Sequence, residues 1–340
     1  RQDLRSAGLS LTVVMAGVAN RVLNKLALVP MRGHVFLLAQ FLSVCYIIVY
    51  FSILLFRWSS GKVEKEMLHY PKLPFAAIGA LEALSVVSML MAASRLEGAL
   101  LPVLSQTFLV WQLVLSVVML GRSYTMGQIT GVCMVLFGLV LAVFPTAGTT
   151  LITRESAPFA VAYATSTVFP ALATIRKEVL FDQARASLGK NIDLFVVNSF
   201  GSLFQAVFIF ALLPAIALSQ GVVPAEIPLY FMKCVECFTG RCPVACSLGA
   251  PVMPLLYVLA NLLFNMSALK LLQTSSAVHT SLVASSIVPL AIWAFTLRLP
   301  HHTPTSLTPT FIVGSTVLVA GLYVYNLFSK KAFSQRVEEA

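Results

Sequence analysis

Apolar residues run along this chain in long stretches, and most of the positively charged residues sit in the short gaps between them. The stretches show no alternation of apolar and polar positions. Each is as long as a hydrocarbon core of about 30 Å demands of a helix, roughly 20 residues. Ten can be read, at about 8–29, 34–56, 74–94, 98–120, 126–145, 157–175, 194–218, 251–272, 276–297 and 310–328. Unpaired backbone groups cannot face lipid, and uniform apolarity argues for helices over barrel strands. The pattern predicts an all-α integral membrane protein of ten transmembrane helices.

Composition points the same way. The 340 residues are 58% hydrophobic and 11% charged, against about 45–50% and roughly 25% for a soluble domain, which excludes a water-soluble fold and a disordered chain. The net charge of +10 would elsewhere suggest nucleic acid; here it belongs to the loops and orients the protein. With ten spans, 15 basic residues, Arg57, Lys62, Lys72, Arg122 and Lys190 among them, fall on the side of the termini. Only 6 fall opposite: Arg32, Arg95, Arg154, Lys233, Arg241 and Arg298. Both termini are therefore expected on the cytoplasm-like face. Arg1 stands where a complete chain would have Met, so a leader is expected upstream.

Two ungapped comparisons suggest an internal repeat. One pairs Phe36 with Phe195, Phe41 with Phe200 and Ser43 with Ser202; the other pairs Glu82 with Asn261 and Gln106 with Ser285. Both imply a five-plus-five duplication, residues 1–150 and 151–340, with a loop at 219–250. An odd number of helices per half inverts the second half, an arrangement that favours a carrier with a central site.

Polar residues inside spans fall into stripes. The first span carries Asn20, Arg21, Asn24 and Lys25; the third, Glu82 and Ser85; the fourth, Ser105, Gln106 and Gln112. The seventh carries Asn198, Ser202 and Gln205, the eighth Asn261 and Asn265, and the ninth His279, Thr280, Ser281 and Ser285. A charge at mid-bilayer costs about 2.5–3.5 kcal/mol on insertion scales, so these groups face partners or water. The bland reading, amides and hydroxyls gluing helices together at about 0.6 kcal/mol each, suits single Ser and Thr residues better than Arg21 and Lys25. Glu82 alone cannot neutralise both, and an uncompensated positive site suits an anionic ligand such as a carboxylate. Arg176, Lys177 and Glu178 are read as the end of the sixth span, either a solvated helix end or a gate.

Cys234, Cys237, Cys242 and Cys246 cluster in the 219–250 loop. Two disulfides on a non-cytoplasmic face are expected, with three connectivities open; zinc is the alternative, though its usual pair spacing is longer. No phosphate-binding loop, nucleophile elbow or paired intramembrane carboxylates are present, so neither an ATP-driven pump nor an enzyme is expected, and no cofactor, metal or nucleic-acid partner is implied.

Several longer motifs carry a resemblance: GVANRVLNKLALVP (17–30), VYFSILLFR (49–57), PKLPF (71–75), LEAL (81–84), LSQTFLVWQ (104–112), DLFVVNSFGSLFQA (193–206) and QTSSAV (273–278). They resemble, in order, the plant chloroquine-resistance-transporter-like (CRT-like) proteins of the drug/metabolite transporter superfamily. The resemblance implies ten helices in two inverted five-helix halves and transport of glutathione and γ-glutamylcysteine across the plastid envelope. It implies cavity residues Asn20, Arg21, Lys25, Glu82, Gln106, Glu178, Asn198, Gln205 and Asn261, and, by likeness to a malarial relative, a disulfide-stapled loop before the eighth helix. Asn261 stands where that relative has an acid, so a preference for cationic cargo does not carry over, and four loop cysteines are more than the plant proteins lead one to expect.

The expectation is a secondary carrier in which Arg21 and Lys25 hold substrate carboxylates, Glu82 meets the ammonium, and Asn198, Gln205 and Asn261 bond the peptide amides. The alternative is a proton-coupled vacuolar exporter of cationic amino acids or peptides, with Glu82 and Glu178 as proton carriers.

Overall fold

A computed structural model describes residues 2–31, 33–143, 152–239, 241, 251–274, 283–284, 286–299 and 308–338. The fold is all-helical, with no strand among the described residues. In chain order the helices are α1 (Gln2–Leu28), α2 (Val35–Ser59), α3 (Lys65–His69), α4 (Leu73–Ala93), α5 (Leu100–Leu104), α6 (Thr107–Leu120) and α7 (Met126–Val143). They continue as α8 (Ala157–Ser166), α9 (Val168–Leu188), α10 (Leu194–Ala211), α11 (Leu213–Ser219), α12 (Ile227–Phe238), α13 (Val252–Thr274), α14 (Ile287–Ala294) and α15 (Pro309–Glu338).

Seven helical segments are long and apolar enough to cross a membrane: Ala7–Leu28, Val35–Ser59, Leu73–Ala93, Leu100–Leu120, Ala157–Leu188, Leu194–Ala211 and Pro309–Phe328. Two shorter apolar segments, Met126–Ala142 and Val252–Ala268, fall where the fifth and eighth spans were expected. Much of the expected ninth span lies outside the described residues.

Three boundaries differ from the sequence reading. The sixth segment does not end near residue 175: after a break at Thr167 it runs on through Arg176, Lys177 and Glu178 to Leu188, where Gly189 takes a left-handed φ of 67° and closes it. Of those three mid-helix charges, Lys177 meets Glu82 and Glu178 meets Arg122. The seventh ends at Ala211, and Pro214 opens the short α11 instead. Finally, the 219–250 segment is not all loop, since α11 and the Pro224–Phe238 segment form a pair bent by 114°. Helix α12 buries Tyr230, Cys234 and Cys237 while Leu229, Met232 and Val235 stay exposed, an amphipathic pattern that a search for fully apolar runs passes over.

Breaks in two spans face each other. Between α5 and α6 the chain turns at Ser105–Gln106, and between α8 and α9 at Thr167. There the Thr107 and Thr167 hydroxyls lie 2.9 Å apart, and Trp111 Nε1 donates to the Ala164 carbonyl at 3.2 Å. The carbonyl freed by the break is thereby paired, as a non-aqueous setting requires.

The packing pairs α1 with α13 and α14, α4 with α8, α9 and α10, α6 with α9, α2 with α10, and α7 with α15. At the α2–α10 crossing, Arg57 donates from Nε at 3.0 Å and Nη2 at 2.5 Å to Asp193 Oδ2, while Asp193 Oδ1 accepts from the Phe195 backbone N–H at 2.8 Å and so caps α10.

Candidate functional site

Three cavities meet at α4. The largest, about 500 Å³, is lined by Tyr46 and Tyr50 from α2, Glu82, Ser85 and Val86 from α4, Lys177 from α9, Asn198, Ser202 and Gln205 from α10, and Asn265 from α13. A second, about 420 Å³, lies among Arg21, Ser85, Met89, Ser105, Gln106 and Gln112. A third, about 180 Å³, is bounded by Asn20, Arg21, Asn24, Ser85, Met89, Tyr163 and Tyr257. Ser85 lines all three, and Arg21 and Met89 are common to the second and third, so the three adjoin along one face of α4 and are together termed the chamber. The largest cavity also reaches Leu194 and Phe195 at the start of α10, on the face where basic residues collect.

Charge is distributed unevenly in this chamber. Glu82 Oε1 pairs with Lys177 Nζ at 2.6 Å, and both side chains keep part of their surface open, 25% and 30%. Arg21 has no carboxylate within ion-pair distance among the described residues; its charge acts on the hydroxyls of Tyr163 and Tyr257. Lys25, 9% exposed, turns away from the cavities, donating from Nζ to the Ala93 carbonyl at 3.0 Å and to the Leu96 carbonyl. Those carbonyls belong to the C-terminal end of α4 and the turn after it, where a helix presents partial negative charge.

The amides form a second layer. Asn261 Nδ2 donates to Asn20 Oδ1 at 3.0 Å, Tyr46 Oη donates to Asn261 Oδ1, and Asn265 Nδ2 donates to Asn261 Oδ1 at 2.9 Å. This network ties α1, α2 and α13 together beside the chamber. Asn24 and Tyr257 line the third cavity together. Gln106 Nε2 donates to the Pro102 carbonyl at 3.1 Å and to Ser105 Oγ at 3.2 Å.

Of the residues singled out in the sequence, Asn20, Arg21, Asn24, Glu82, Gln106, Asn198 and Gln205 line the chamber. Asn261 stands behind it in the amide network. Glu178 pairs with Arg122 and lines none of these cavities, and Ser285 lies outside the described residues. The sequence reading passed over Tyr46, Tyr50, Tyr163 and Tyr257, and took Lys177 for part of a solvated helix end or a gate. The signal for Lys177 was present: Ala173, Lys177 and Leu180 share a face at helical spacing, and Ala173 and Leu180 are buried.

Two-bridge pairing of the four clustered cysteines is corrected. Cys234 carries a free thiol in a fully buried position against Tyr230, and Cys45 and Cys133 are free as well. Cys237, Cys242 and Cys246 can therefore make at most one bridge among themselves, and the last two lie outside the described residues. No group of three or more His, Cys, Asp or Glu side chains placed to hold a metal occurs among the described residues.

Comparison with known proteins identifies the family. Residues 9–325 match the family described as CRT-like, chloroquine-resistance transporter-like. The chain is similar to Protein CLT2, chloroplastic, of Arabidopsis thaliana, with 43% identity covering 94% of this chain and 75% of the relative. It is also similar to Protein CLT1, chloroplastic, of the same plant, with 41% identity over 92% of this chain and 71% of the relative. The chloroquine resistance transporter of Toxoplasma gondii is 25% identical over 95% of this chain and 38% of its own length. The chain belongs to the CRT-like transporter family.

Proposed function

We propose that this chain is a secondary carrier of small γ-glutamyl thiol peptides, glutathione and γ-glutamylcysteine, across the plastid envelope by alternating access. Residues 1–150 and 151–340 are its two inverted five-helix halves. The packing supports the repeat. Exchange of the halves sends α1 to α8–α9, α2 to α10, α4 to α13, α5–α6 to α14 and α7 to α15. Under that exchange the α1–α13 contact becomes α9–α4 and the α6–α9 contact becomes α14–α1, both present, while the α2–α10 and α7–α15 contacts map onto themselves. The plastid location rests on the names of the two plant relatives.

The observation that carries the substrate reading is Arg21: a guanidinium on the chamber wall with no carboxylate partner among the described residues, facing a cavity system that also holds Glu82. Glu82 and Met89 are seven residues apart on α4, roughly 10 Å at 1.5 Å per residue; Met89 lines the same two cavities as Arg21. A three-residue peptide extended at 3.3–3.6 Å per residue also spans about 10 Å. Arg21 takes the terminal carboxylate through a charge-assisted fork, Glu82 meets the α-ammonium, and Asn198 and Gln205 bond the amides between. In the competing reading, a proton-coupled exporter of cations, Glu178 would have to act from outside these cavities, where it pairs with Arg122.

Uptake of labelled glutathione into proteoliposomes tests the assignment. Arg21→Ala is expected to lower uptake at least tenfold, with Arg21→Lys retaining part of it; an Arg21→Ala rate equal to wild type defeats the carrier as drawn.

A further inference from the structure

The Lys177–Glu82 pair sits in the wall of the largest of the three cavities with both ends partly open. Its Nζ–Oε1 distance is 2.6 Å, and the second carboxylate oxygen, Oε2, has no hydrogen bond among the described residues. That oxygen faces the side of α10 at Gly201, where an added Cβ would lie 3.9 Å from it. The hydroxyl-bearing rings of Tyr46 and Tyr50 stand on the same cavity and within electrostatic range of Glu82.

We infer that Lys177 and Glu82 together form a subsite for the α-amino-acid head of the cargo, with Lys177 binding the α-carboxylate and Glu82 the α-ammonium. The inference rests on the peptide-carrier reading and assigns to Lys177 a role given to it by neither the sequence pattern nor that reading. An ion pair in a half-dry wall is a stable resting state, since each charge is compensated when the site is empty. A zwitterionic head exchanges one internal pair for two intermolecular ones, so the wall stays neutral before and after binding. An analogue lacking either head charge leaves Lys177 or Glu82 partnered less well than in the empty site. Sites of this kind discriminate by the penalty on the wrong ligand as much as by attraction to the right one. Arg21, deeper in the chamber, is left for the distal carboxylate, and a tripeptide with a zwitterionic head and a carboxylate tail engages all three charges.

The test is competition against labelled glutathione in proteoliposomes by three unlabelled peptides: glutathione, its α-carboxamide, and its des-amino analogue. Wild type is expected to take glutathione at least tenfold more tightly than either analogue. Lys177→Met is expected to raise KM for glutathione about tenfold and to abolish the preference over the α-carboxamide, while the preference over the des-amino analogue survives. Glu82→Gln is expected to do the reverse, and Lys177→Arg to keep both preferences. Thermal unfolding in detergent checks that each variant is folded, and the Arg replacement decides the matter if the Met variant is not. Unchanged ratios in Lys177→Met overturn the subsite and leave the carrier reading standing. If wild type moves no glutathione, the substrate reading fails. In that case binding of cysteine, cysteinamide and 3-mercaptopropionate to wild type and Lys177→Met still decides the subsite, and equal affinity for the three in wild type overturns it.

Discussion

At the scale of single residues, Asp193 shows how one side chain serves two elements. Its Oδ1 caps α10 and its Oδ2 holds Arg57 of α2 in a two-nitrogen contact. Losing an Asp cap costs about 1 kcal/mol, and the ion pair, with Arg57 31% exposed, adds less than about 1 kcal/mol once solvent screening is allowed for. Asp193→Ala is expected to destabilise by about 1–2 kcal/mol and Asp193→Asn by less, as read from thermal unfolding of purified protein. His34 offers a pH test just outside α2. Burial, and then the positive charge of Lys233, hold its imidazole below the ordinary value, and its Nδ1 is buried without a partner. The folded protein therefore binds this proton less readily than the unfolded chain. Stability is unaffected above the ordinary value of about 6.5 and falls as pH drops through it. His34→Gln is expected to flatten the acid limb of unfolding measured from pH 7.5 to 5; a slope unchanged by the substitution would sink the assignment.

At the scale of elements, the tightest crossing is that of α7 and α15. A Cβ at Gly138 would meet the Leu318 backbone nitrogen at 2.5 Å, one at Gly314 the Ala142 nitrogen at 2.3 Å, and one at Gly131 the Tyr325 nitrogen at 2.6 Å. Helices in lipid associate by such close backbone approach, with no hydrophobic drive to replace it. Gly138→Leu is expected to force the pair apart and lower the yield of monodisperse protein severalfold, whereas Gly8→Ala, with nothing within 4 Å, is expected to be neutral. Such elements were largely legible from sequence, because a bilayer imposes both length and apolarity on each span. The stripes Asn20–Asn24 and Asn198–Ser202–Gln205 were legible too, since helical spacing alone puts their members on one face. Partners across helices were not. Nothing local announces that Lys25 meets carbonyls 68 and 71 residues away, or that Lys177, read as part of a helix end or a gate, reaches Glu82. Cutting spans at charged residues shortened the sixth helix for the same reason, and the amphipathic α12 was hidden among cysteines that suggested only a loop.

At the scale of the molecule, the chamber reaches the basic face through the start of α10, and the opposite end is held by Lys25. Helix α1 runs from the basic face past Arg21 to Lys25, and α4 runs the same way past Glu82 to Ala93, so the ammonium fastens α1 to the far end of α4 beyond the cavity floor. In the proposed alternating-access cycle this end separates whenever the other closes, so the strength of the Lys25 contact would help set the balance between the two states. Hydrogen bonds from a charged donor contribute about 1.5–3 kcal/mol each. A loss of about 2 kcal/mol moves such an equilibrium roughly thirtyfold, and only a contact present in one state can move it at all. Lys25→Met, which keeps an unbranched apolar stem, is therefore expected to favour the conformation open on the far side. With the other free cysteines replaced, Leu101→Cys in the third cavity would report this as labelling by a membrane-impermeant maleimide from that side, severalfold faster than with Lys25 intact. Faster labelling accompanied by slower net uptake is the signature of a latch that opens too easily. A fall in thermal stability with the sidedness of labelling unchanged would instead make Lys25 an anchor with no part in the transport cycle.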